Sequence, residues 1–321
     1  GKYTSIIVKS TVPPGTTQWL APLIEQASGK KLGKEFGLGM MPEFLREGSA
    51  LKDFFEPDRI VIGAIDDKTR ALLRELHKDA KCSILETNAT TAETIKYASN
   101  AFLATKLSFI NEMADLCEKL GIDVLDLARG AGLDKRIGLS YFNASLGYGG
   151  SCLPKDLRSL TKTFEKNGLQ PVLLKTVQQV NALRPEHFIE IAEQKIDLRG
   201  KKVCVLGLAF KRDTDDIRES PAIALIQKLL EKNCAVQAFD SQAMENMKKI
   251  FPQIKYCSTM KEALTGADAC FIAADWPEFD NAEAYKVLKN RVVIDGKRVL
   301  DAKQAKKAGI KYAGIGVGWV N

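Results

Sequence analysis

The longest periodic stretch of the chain constrains its fold most strongly. Residues 88–121, NATTAETIKYASNAFLATKLSFINEMADLCEKLG, carry apolar residues at helical spacing and end at a glycine. Asn88, Thr90 and Thr91 precede Glu93, and this pattern offers N-caps. A helix much longer than the globular average usually spans between domains or builds an interface. We therefore predict one long helix in an all-α central block, with an α/β block on each side.

Both flanking blocks alternate strand and helix patterns. Before the long helix, the segments SIIVKS, FGLGMM, RIVIGA and CSILET predict strands, which we expect to form half of a parallel sheet. After residue 199, the segment KKVCVLGLAF begins a second series that is typical of a doubly wound nucleotide-binding fold. The predicted domains are α/β (1–87), all-α with further helices at 123–130, 154–167 and 171–195 (88–195), and α/β (196–321).

Composition excludes several kinds of chemistry. The chain of 321 residues has seven cysteines and two histidines. No CxxC pair occurs, which argues for a reducing, cytoplasmic compartment and against a disulfide framework or a thiolate zinc site. With only His77 and His187, we expect neither a His-rich metal site nor a Ser-His-Asp triad, and we predict no bound metal. Catalysis would then fall to Cys, Lys, Asp, Glu and Asn.

Charge and hydropathy restrict the kinds of ligand and partner that the chain can bind. The formal net charge is +7, but lysines are mixed with acids throughout, so a nucleic-acid partner is disfavoured and a small anionic ligand fits. No run of 18 apolar residues predicts a membrane helix, and the first residues show no basic-then-apolar leader.

The segment GYGGSCLPKD, residues 147–156, places one cysteine in an unusual setting. Its glycines would let the backbone approach a ligand closely and expose N–H groups to an anion. Cys152 lies just before a predicted helix N-terminus, and both that position and Lys155 favour a thiolate. The alternative is a buried small hydrophobe, and spacing alone leaves both open.

Two polar residues of the long helix share one face. Lys96 and Asn100 are four positions apart among small or apolar neighbours. They are either solvent-facing or paired with an anionic centre. Taken alone, the spacing favours the solvent-facing alternative.

Other polar positions follow predicted strands, where α/β folds place ligand contacts. Thr11 follows the first strand, and Glu43, Arg46 and Glu47 follow the second, although the latter could also be a capped helix start. Lys211, in FKRDTDDIRES, is either a phosphate ligand or part of a solvated loop.

The dinucleotide fingerprint is not found in this sequence. In VLGLAFK, Gly207 stands without the rest of GxGxxG, and Asp240 ends the next strand too far along for the standard ribose contact. The third block therefore predicts a nucleotide-binding shape without a standard dinucleotide site, or a generic α/β domain with no ligand.

The order of the motifs is more specific than any one of them. The series STVPPGTT, PEFLREGSA, IKYASNAFLA, RIG, GYGGSCLPKD, GLAFKRDTDDIRESP and DGKRVLD resembles the nucleotide-sugar 6-dehydrogenase (UDP-glucose/GDP-mannose dehydrogenase) family over residues 5–318. The resemblance implies a doubly wound NAD-binding domain, a central helical domain that dimerises through the long helix, and a C-terminal Rossmann-like UDP-binding domain. It also implies two successive oxidations of a sugar C6 alcohol by NAD⁺. The match is best to the UDP-glucose enzymes, with GDP-mannose as the alternative substrate.

The resemblance also implies catalytic roles. Cys152 would form a thiohemiacetal and then a thioester. Lys96 and Asn100 would stabilise the C6 oxyanion. Asp156 and Thr11 would act on a catalytic water, with Glu43 as the other water-activating acid.

Binding roles are implied in the same way. Three groups of positions match substrate contacts: Phe44, Leu45 and Arg46; the loop positions Tyr141, Phe142, Asn143, Ser145, Gly147, Tyr148 and Gly149; and the basic residues Lys211, Arg298 and Arg136. Of these, Arg136 matches a residue that reaches into the substrate site of a neighbouring subunit. Positions that match NAD contacts are Ser10, Thr11, Val12, Glu47, Lys155 and Arg218.

The chain departs from the family pattern in two respects. The family's first βαβαβ half, with GxGxxG, is expected to precede residue 1, so residues 1–87 would be a remnant of the NAD-binding domain. We accordingly expect this chain to bind UDP-glucose far better than NAD. The alternative from another functional class is a catalytically inactive protein that binds a UDP-sugar or forms oligomers. Met41 also stands where the family usually has Asn.

Overall fold

The computed structural model describes residues 2–320, which divide into two compact units. The first unit holds the chain up to residue 102 together with residues 156–171. The second unit holds residues 103–155 and the chain from residue 172 onward. The predicted division into three domains stays a prediction, whereas the predicted fold class is confirmed: two Rossmann-like α/β regions flank a central helical region.

The first unit contains a four-stranded sheet in sequential order. Its strands are β1 (Thr4–Val8), β2 (Phe36–Met40), β3 (Arg59–Ala64) and β4 (Ser83–Thr87). The pairs β1–β2 and β3–β4 are parallel, but β2 and β3 run antiparallel. The prediction of an entirely parallel sheet was therefore wrong at this pair. The segment joining β2 to β3 brings the chain back reversed instead of making the crossover that a parallel pair requires.

Three helices belong to this unit, α1 (Thr16–Ser28), α2 (Ala50–Phe55) and α3 (Asp67–Leu76), and of these α1 and α3 pack against the sheet. Met40, Val61, Ala89 and Ala92 form a buried cluster that joins the sheet to the start of the central helix. Packing there is close, since a Cβ at Gly63 would lie 2.6 Å from the Ala92 Cβ. A side chain at this position would push the helix off the strand.

Four helices follow: α4 (Ala89–Leu120), α5 (Val124–Gly132), α6 (Leu153–Lys166) and α7 (Val172–Glu193). Helix α4 confirms the predicted long helix. Its N-cap is Asn88, whose Oδ1 accepts a hydrogen bond from Thr91 N at 2.8 Å. It ends before Gly121, which adopts a φ of 69° that a glycine tolerates well.

The second unit contains a seven-stranded sheet. Its strands are β5 (Lys202–Leu206), β6 (Ala235–Phe239), β7 (Lys255–Tyr256), β8 (Ala269–Ile272), β9 (Val292–Asp295), β10 (Lys311–Gly314) and β11 (Gly318–Val320). The spatial order is β11-β10-β9-β8-β5-β6-β7, and every pair is parallel except β10–β11. Without the antiparallel edge strand, this is the doubly wound order of a dinucleotide-binding fold, with its switch point between β5 and β8.

Four helices complete this sheet: α8 (Pro221–Glu231), α9 (Met244–Lys248), α10 (Met260–Leu264) and α11 (Ala302–Lys307). Two apolar clusters, one containing Val203, Val205 and Phe271 and the other Cys204, Cys270 and Ile272, form its core. Their alternation along β5 and β8 is expected for strands buried on both faces. Within residues 2–320, no helix is long and apolar enough to cross a membrane.

Candidate active site

A buried carboxylate organises the segment after β1. Glu93 is fully buried, and its two oxygens accept hydrogen bonds from Gly15 N at 2.5 Å, Thr17 N at 2.7 Å and Thr17 Oγ1 at 2.6 Å. Gly15, the N-cap of α1, has no side chain to cap the helix. Glu93 was predicted to help cap α4, but it instead supplies acceptors for the first N–H groups of α1.

Lys96 lies on α4 and is buried with an acidic and an aromatic partner. Its Nζ is 3.4 Å from Glu43 Oε1 and 5.3 Å from the ring centroid of Phe44. The other oxygen of Glu43 accepts a hydrogen bond from Leu45 N at 2.6 Å. Only 4% of Lys96 is exposed, so the solvent-facing alternative was wrong for this residue.

Asn100 lies one turn further along α4 and is also buried. Its Nδ2 donates to Asp156 Oδ2 at 2.6 Å, and Asp156 is 1% exposed. Asn100 itself is 7% exposed, so its predicted solvent-facing alternative was wrong as well. Buried amides and carboxylates require such partners because an unpaired polar group loses its hydration without compensation. The predicted residues thus form two polar pairs: Asn100 with Asp156, which are both buried, and the buried Lys96 with the half-buried Glu43.

A second lysine lies in the electrostatic field of Glu43. Burial lowers the pKa of Lys9, and the negative charge of Glu43 opposes this shift.

The predicted cofactor contacts directly follow Lys9 along the chain: Ser10 is exposed, and Thr11 and Val12 are half-buried. None of these three lies in a helix or strand.

The predicted contacts after Glu43 differ in exposure. Phe44 is half-buried, and the Arg59 guanidinium lies 4.0 Å from its ring centroid. Leu45, Arg46 and Glu47 are exposed. The Arg46 side chain donates to both oxygens of Asp53, and these hydrogen bonds lower the pKa of Asp53 to about 2.

In the second unit, Cys152 is distinguished by exposure. It alone is exposed among the seven cysteines, all of which fall in the described part of the chain. It immediately precedes α6, as predicted, and its Sγ is 3.6 Å from Ser151 Oγ. Lys155, in the first turn of that helix, is exposed. Because Cys152 is exposed, its thiol is accessible to a ligand, and the alternative of a buried small hydrophobe was wrong.

The glycines before Cys152 serve backbone packing. A Cβ at Gly149 would lie 2.2 Å from the Glu219 carbonyl oxygen, and one at Gly150 would lie 2.8 Å from the Phe210 ring. Gly150 N donates to Arg218 O at 2.8 Å, and Gly147 N donates to Ser145 Oγ at 3.2 Å. The expectation that these N–H groups point toward an anion was wrong for Gly147 and Gly150, since their donors bond within the protein.

The preceding loop is largely buried. Phe142 is 4% exposed and stacks on Phe109, with ring centroids 6.1 Å apart, while Tyr148 is 8% exposed. Tyr141 is half-buried at a φ of 57°, and Ser145 is half-buried. Among the predicted substrate positions of this loop, Asn143 has the most accessible side chain.

The predicted basic residues of the second unit each contact a carboxylate or an aromatic ring of the protein. Arg298 makes a bidentate ion pair with Asp123, at 2.8 and 2.7 Å. Burial raises the pKa of the Asp123 carboxyl, but the Arg298 hydrogen bonds and that of Leu125 N leave it below its usual range. Sequence reasoning did not select Asp123: it stands before α5 as an N-cap, but its partner is 175 positions away.

The other three basic residues are nearer to solvent. Arg218 and Arg136 are exposed and pair with carboxylates two positions before them, Asp216 and Asp134. Lys211 is half-buried, with its Nζ 5.5 Å from the Phe210 ring centroid. Lys211 follows β5 and Arg298 follows β9, at the carboxyl edge of the sheet, where doubly wound folds bind ligands.

Asp240 directly follows β6, at the position of a ribose-binding acid, but its carboxylate accepts hydrogen bonds from within the protein. One oxygen accepts from Leu208 N at 2.7 Å and Trp276 Nε1 at 3.1 Å. The other accepts from Gln242 N and Ala243 N at 2.8 and 2.9 Å. Asp240 is fully buried with these donors, and the prediction that the third block has no standard dinucleotide site stays a prediction.

One acidic cluster has metal-ligating residue types. Atoms of Asp115, Glu118 and His187 lie within 4.8 Å of one another. One oxygen of each carboxylate already has a protein donor, since Arg184 Nη1 donates to Asp115 Oδ1 at 2.6 Å and Gly316 N donates to Glu118 Oε1 at 2.8 Å. A guanidinium bound to one carboxylate disfavours a cation at the same place.

Three domains of one family match the chain. They are described as the NAD binding domain, the central domain and the UDP binding domain of the UDP-glucose/GDP-mannose dehydrogenase family, and they match residues 1–81, 90–183 and 204–302. Together they account for most of the chain.

Individual relatives resemble it over nearly its whole length. A UDP-glucose 6-dehydrogenase of Haloferax volcanii is 41% identical over 317 residues, which are 97% of this chain and 73% of the relative. One from Rickettsia prowazekii is 42% identical over 321 residues, with the same coverage. A solved UDP-glucose dehydrogenase from Pyrobaculum islandicum superposes with a TM-score of 0.89 at 41% identity, covering 100% of this chain and 72% of the other.

Proposed function

Because the chain belongs to the UDP-glucose/GDP-mannose dehydrogenase family, and is thus an NAD-dependent oxidoreductase, we propose that it oxidises UDP-glucose to UDP-glucuronate. The proposal assigns two successive two-electron oxidations at the sugar C6. The observation that carries it is that Lys96 and Asn100, both buried on α4, contact the carboxylates of Glu43 and Asp156, in a chain whose one exposed cysteine precedes α6. The names of the relatives support UDP-glucose as the substrate.

Cys152 is the proposed nucleophile. Its thiolate adds to the carbon of the C6 aldehyde, so a C–S bond forms and the carbonyl electrons move to oxygen. Oxidation of this thiohemiacetal leaves a thioester. Water then adds to the thioester carbon, the C–S bond breaks, and the thiolate leaves as the uronate forms. Exposure of Cys152, against burial of five of the other six cysteines, supports this assignment.

The α4 residues are proposed to handle charge and protons. The Lys96 ammonium and the Asn100 amide would stabilise the C6 oxyanion, because fixed donors in a water-poor site act strongly on developing charge. Asp156, with Thr11, would accept a proton from the hydrolytic water. Glu43, held by Leu45 N, is the second acid proposed to act on that water.

The residues after β1 fit a dinucleotide. The exposed Ser10 hydroxyl and the half-buried Thr11 and Val12 lie at the carboxyl end of a parallel strand, where doubly wound folds hold nucleotides. The α1 N-terminus is occupied by Glu93, so contacts would come from Ser10, Thr11 and Val12, together with the proposed Glu47, Lys155 and Arg218. NAD⁺, when bound, supplies the hydride acceptor for each oxidation.

The nucleotide end of the substrate is assigned to the second unit. Lys211 and Arg298, at the carboxyl edge of its sheet, would supply phosphate and sugar contacts. Contacts to the sugar nucleotide are also proposed for Phe44, Leu45 and Arg46 and for the loop positions Tyr141, Phe142, Asn143, Ser145, Gly147, Tyr148 and Gly149. These assignments rest on the resemblance of the motifs and are supported by the match to a UDP binding domain.

We propose further that two copies associate through α4. Phe102, Phe109 and Leu116 recur at seven-residue spacing along this helix and are 65%, 49% and 47% exposed. An apolar stripe of this kind favours a helix–helix interface. Arg136, whose side chain is 89% exposed, would then reach the partner's site. The seven free cysteines support a reducing compartment such as the cytoplasm.

A panel of nucleotide sugars tests the proposed reaction. NADH formation is measured with UDP-glucose, GDP-mannose and a UDP-N-acetylhexosamine, using the protein as its gene encodes it. We expect UDP-glucose to give the largest kcat/KM and two NADH for each sugar consumed. A preference for GDP-mannose would refute the substrate assignment, and one NADH per sugar would refute the double oxidation.

A further inference from the structure

The loop between α5 and α6 has no regular structure of its own to hold it. Residues 137–150 lie outside helices and strands, yet several of their backbone groups are buried. Such groups need partners from elsewhere because unpaired buried N–H and C=O groups are costly. Three side chains outside the loop, Lys106, Asn111 and Asn181, bond to its backbone: the contacts of the two asparagines are half-buried, whereas two of the three made by Lys106 are exposed.

Lys106 binds the start of the loop. Its Nζ donates to three carbonyl oxygens: Ile137 at 3.0 Å, Gly138 at 3.3 Å and Ser140 at 2.5 Å. An ammonium group has three N–H donors, so this arrangement uses all of them. The same Nζ lies 5.5 Å from the ring centroid of Phe142, which the loop buries.

Two asparagines bind the rest of the loop. Asn111, fully buried on α4, accepts a hydrogen bond from Ser145 N at 2.7 Å. Asn181, on α7, accepts from Tyr148 N at 2.8 Å and donates to Tyr148 O at 3.0 Å. This amide pairs with the backbone as a neighbouring strand would. It also requires Gly147, since a Cβ there would lie 2.9 Å from Asn181 Oδ1.

We propose that Lys106, Asn111 and Asn181 are positioning residues that hold this loop in its substrate-binding conformation before substrate arrives. The inference rests on the proposed function for the identity of the substrate, but the contacts themselves involve only this chain. A loop already ordered in the free protein loses little conformational entropy on binding. These residues touch backbone and not the reacting groups, so they act on affinity more than on the chemical step.

Two variants remove the contacts while preserving size. Lys106→Met deletes all three donors, and Asn181→Leu deletes both hydrogen bonds to Tyr148. Lys106→Arg retains a charged donor and serves as the conservative rescue. Lys119→Met is the matched control, because Lys119 is an exposed lysine of the same helix. Thermal unfolding of each variant checks that the rest of the protein is folded.

Hydrogen exchange of residues 137–150 in the ligand-free protein is the first readout. We expect exchange there to accelerate about tenfold or more in Lys106→Met and Asn181→Leu, and to stay unchanged in Lys119→Met. Unchanged exchange in both variants would overturn the proposal, whatever the enzyme's substrate. This result is independent of activity, so it stands even if the wild-type protein fails to oxidise UDP-glucose.

Ligand binding is the second readout. Calorimetry with UDP and steady-state kinetics with UDP-glucose should show Kd and KM raised about 10- to 100-fold, which corresponds to the loss of two or three hydrogen bonds. We expect kcat to fall by less than about threefold, and Lys106→Arg to recover part of the affinity. Faster exchange with unchanged Kd and KM would overturn the positioning role. A loss confined to kcat would do so as well.

Discussion

Replacement of Glu93 should destabilise the protein more than an average buried substitution. In Glu93→Ala, three donors lose their acceptor: Gly15 N, Thr17 N and Thr17 Oγ1. Thr17 is fully buried, so water cannot replace the carboxylate there. The first turn of α1 would also lose a negative charge at its N-terminus, where Gly15 offers no side-chain cap.

The magnitude follows from these contacts. Hydrogen bonds to a charged group contribute about 1.5–3 kcal/mol each, and the losses are not additive, so Glu93→Ala should lower the free energy of unfolding by about 4 kcal/mol. Glu93→Gln keeps one acceptor oxygen for Thr17 but loses the charge. It should therefore cost about 2 kcal/mol.

Urea titration followed by circular dichroism measures the loss, and hydrogen exchange of residues 13–20 localises it. Glu112→Ala is the matched control, since Glu112 is an exposed acid of the same helix and should change stability by less than about 0.5 kcal/mol. If Glu93→Ala lost no more than the control, or if exchange near α1 stayed slow, the assignment of Glu93 as the cap of α1 would be wrong.

Two further predictions concern local contacts. In Arg46→Met, the pKa of Asp53, which the Arg46 side-chain hydrogen bond chiefly holds at about 2, should rise toward about 3.9. Because the folded-state pKa is depressed, the pair stabilises the protein above the unfolded value of about 3.9, and this contribution is lost as pH falls through about 2. An unchanged pKa of Asp53 in an NMR titration of its carboxyl group would contradict this prediction. Gly149→Ala would place a Cβ 2.2 Å from the Glu219 carbonyl oxygen and should lower the free energy of unfolding by about 2 kcal/mol or more. Gly130→Ala, in a helix with open space around it, should raise that free energy by about 0.5–1 kcal/mol, and urea titrations that ranked the two in the opposite order would refute the packing argument.

Local pattern predicted most of the elements. The period of apolar residues located α4 to within a residue at each end, and the apolar runs located β1 through β4, because burial of one face leaves its period in the sequence. Asn88 was one of three N-cap candidates that the pattern offered, with Thr90 and Thr91, and the structure selects it. The short helix α11 and strand β7 were missed, since such elements carry too few residues to show a period, and α2 was anticipated only as the alternative of a capped helix start after β2.

Contacts between distant residues could not be predicted from pattern. The i,i+4 spacing of Lys96 and Asn100 is the same whether the helix face meets water or carboxylates, so Glu43 and Asp156 had to be seen beside them. Glycine-rich sequence likewise predicts close backbone approach without saying to what: at Gly149 the neighbour is Glu219. Asp123 carries an N-cap pattern but shows no sign of Arg298, to which it is bound across 175 positions.

The direct test of the account is the product formed by a Cys152→Ala variant. UDP-glucose and NAD⁺ are supplied to the wild-type protein, to Cys152→Ala and to Cys82→Ala, and UDP-glucuronate is quantified by mass spectrometry together with NADH. We predict two NADH per uronate for the wild type and for Cys82→Ala, and no uronate from Cys152→Ala, although that variant should still bind UDP-glucose. Uronate formation by Cys152→Ala at the wild-type rate would contradict the thioester mechanism.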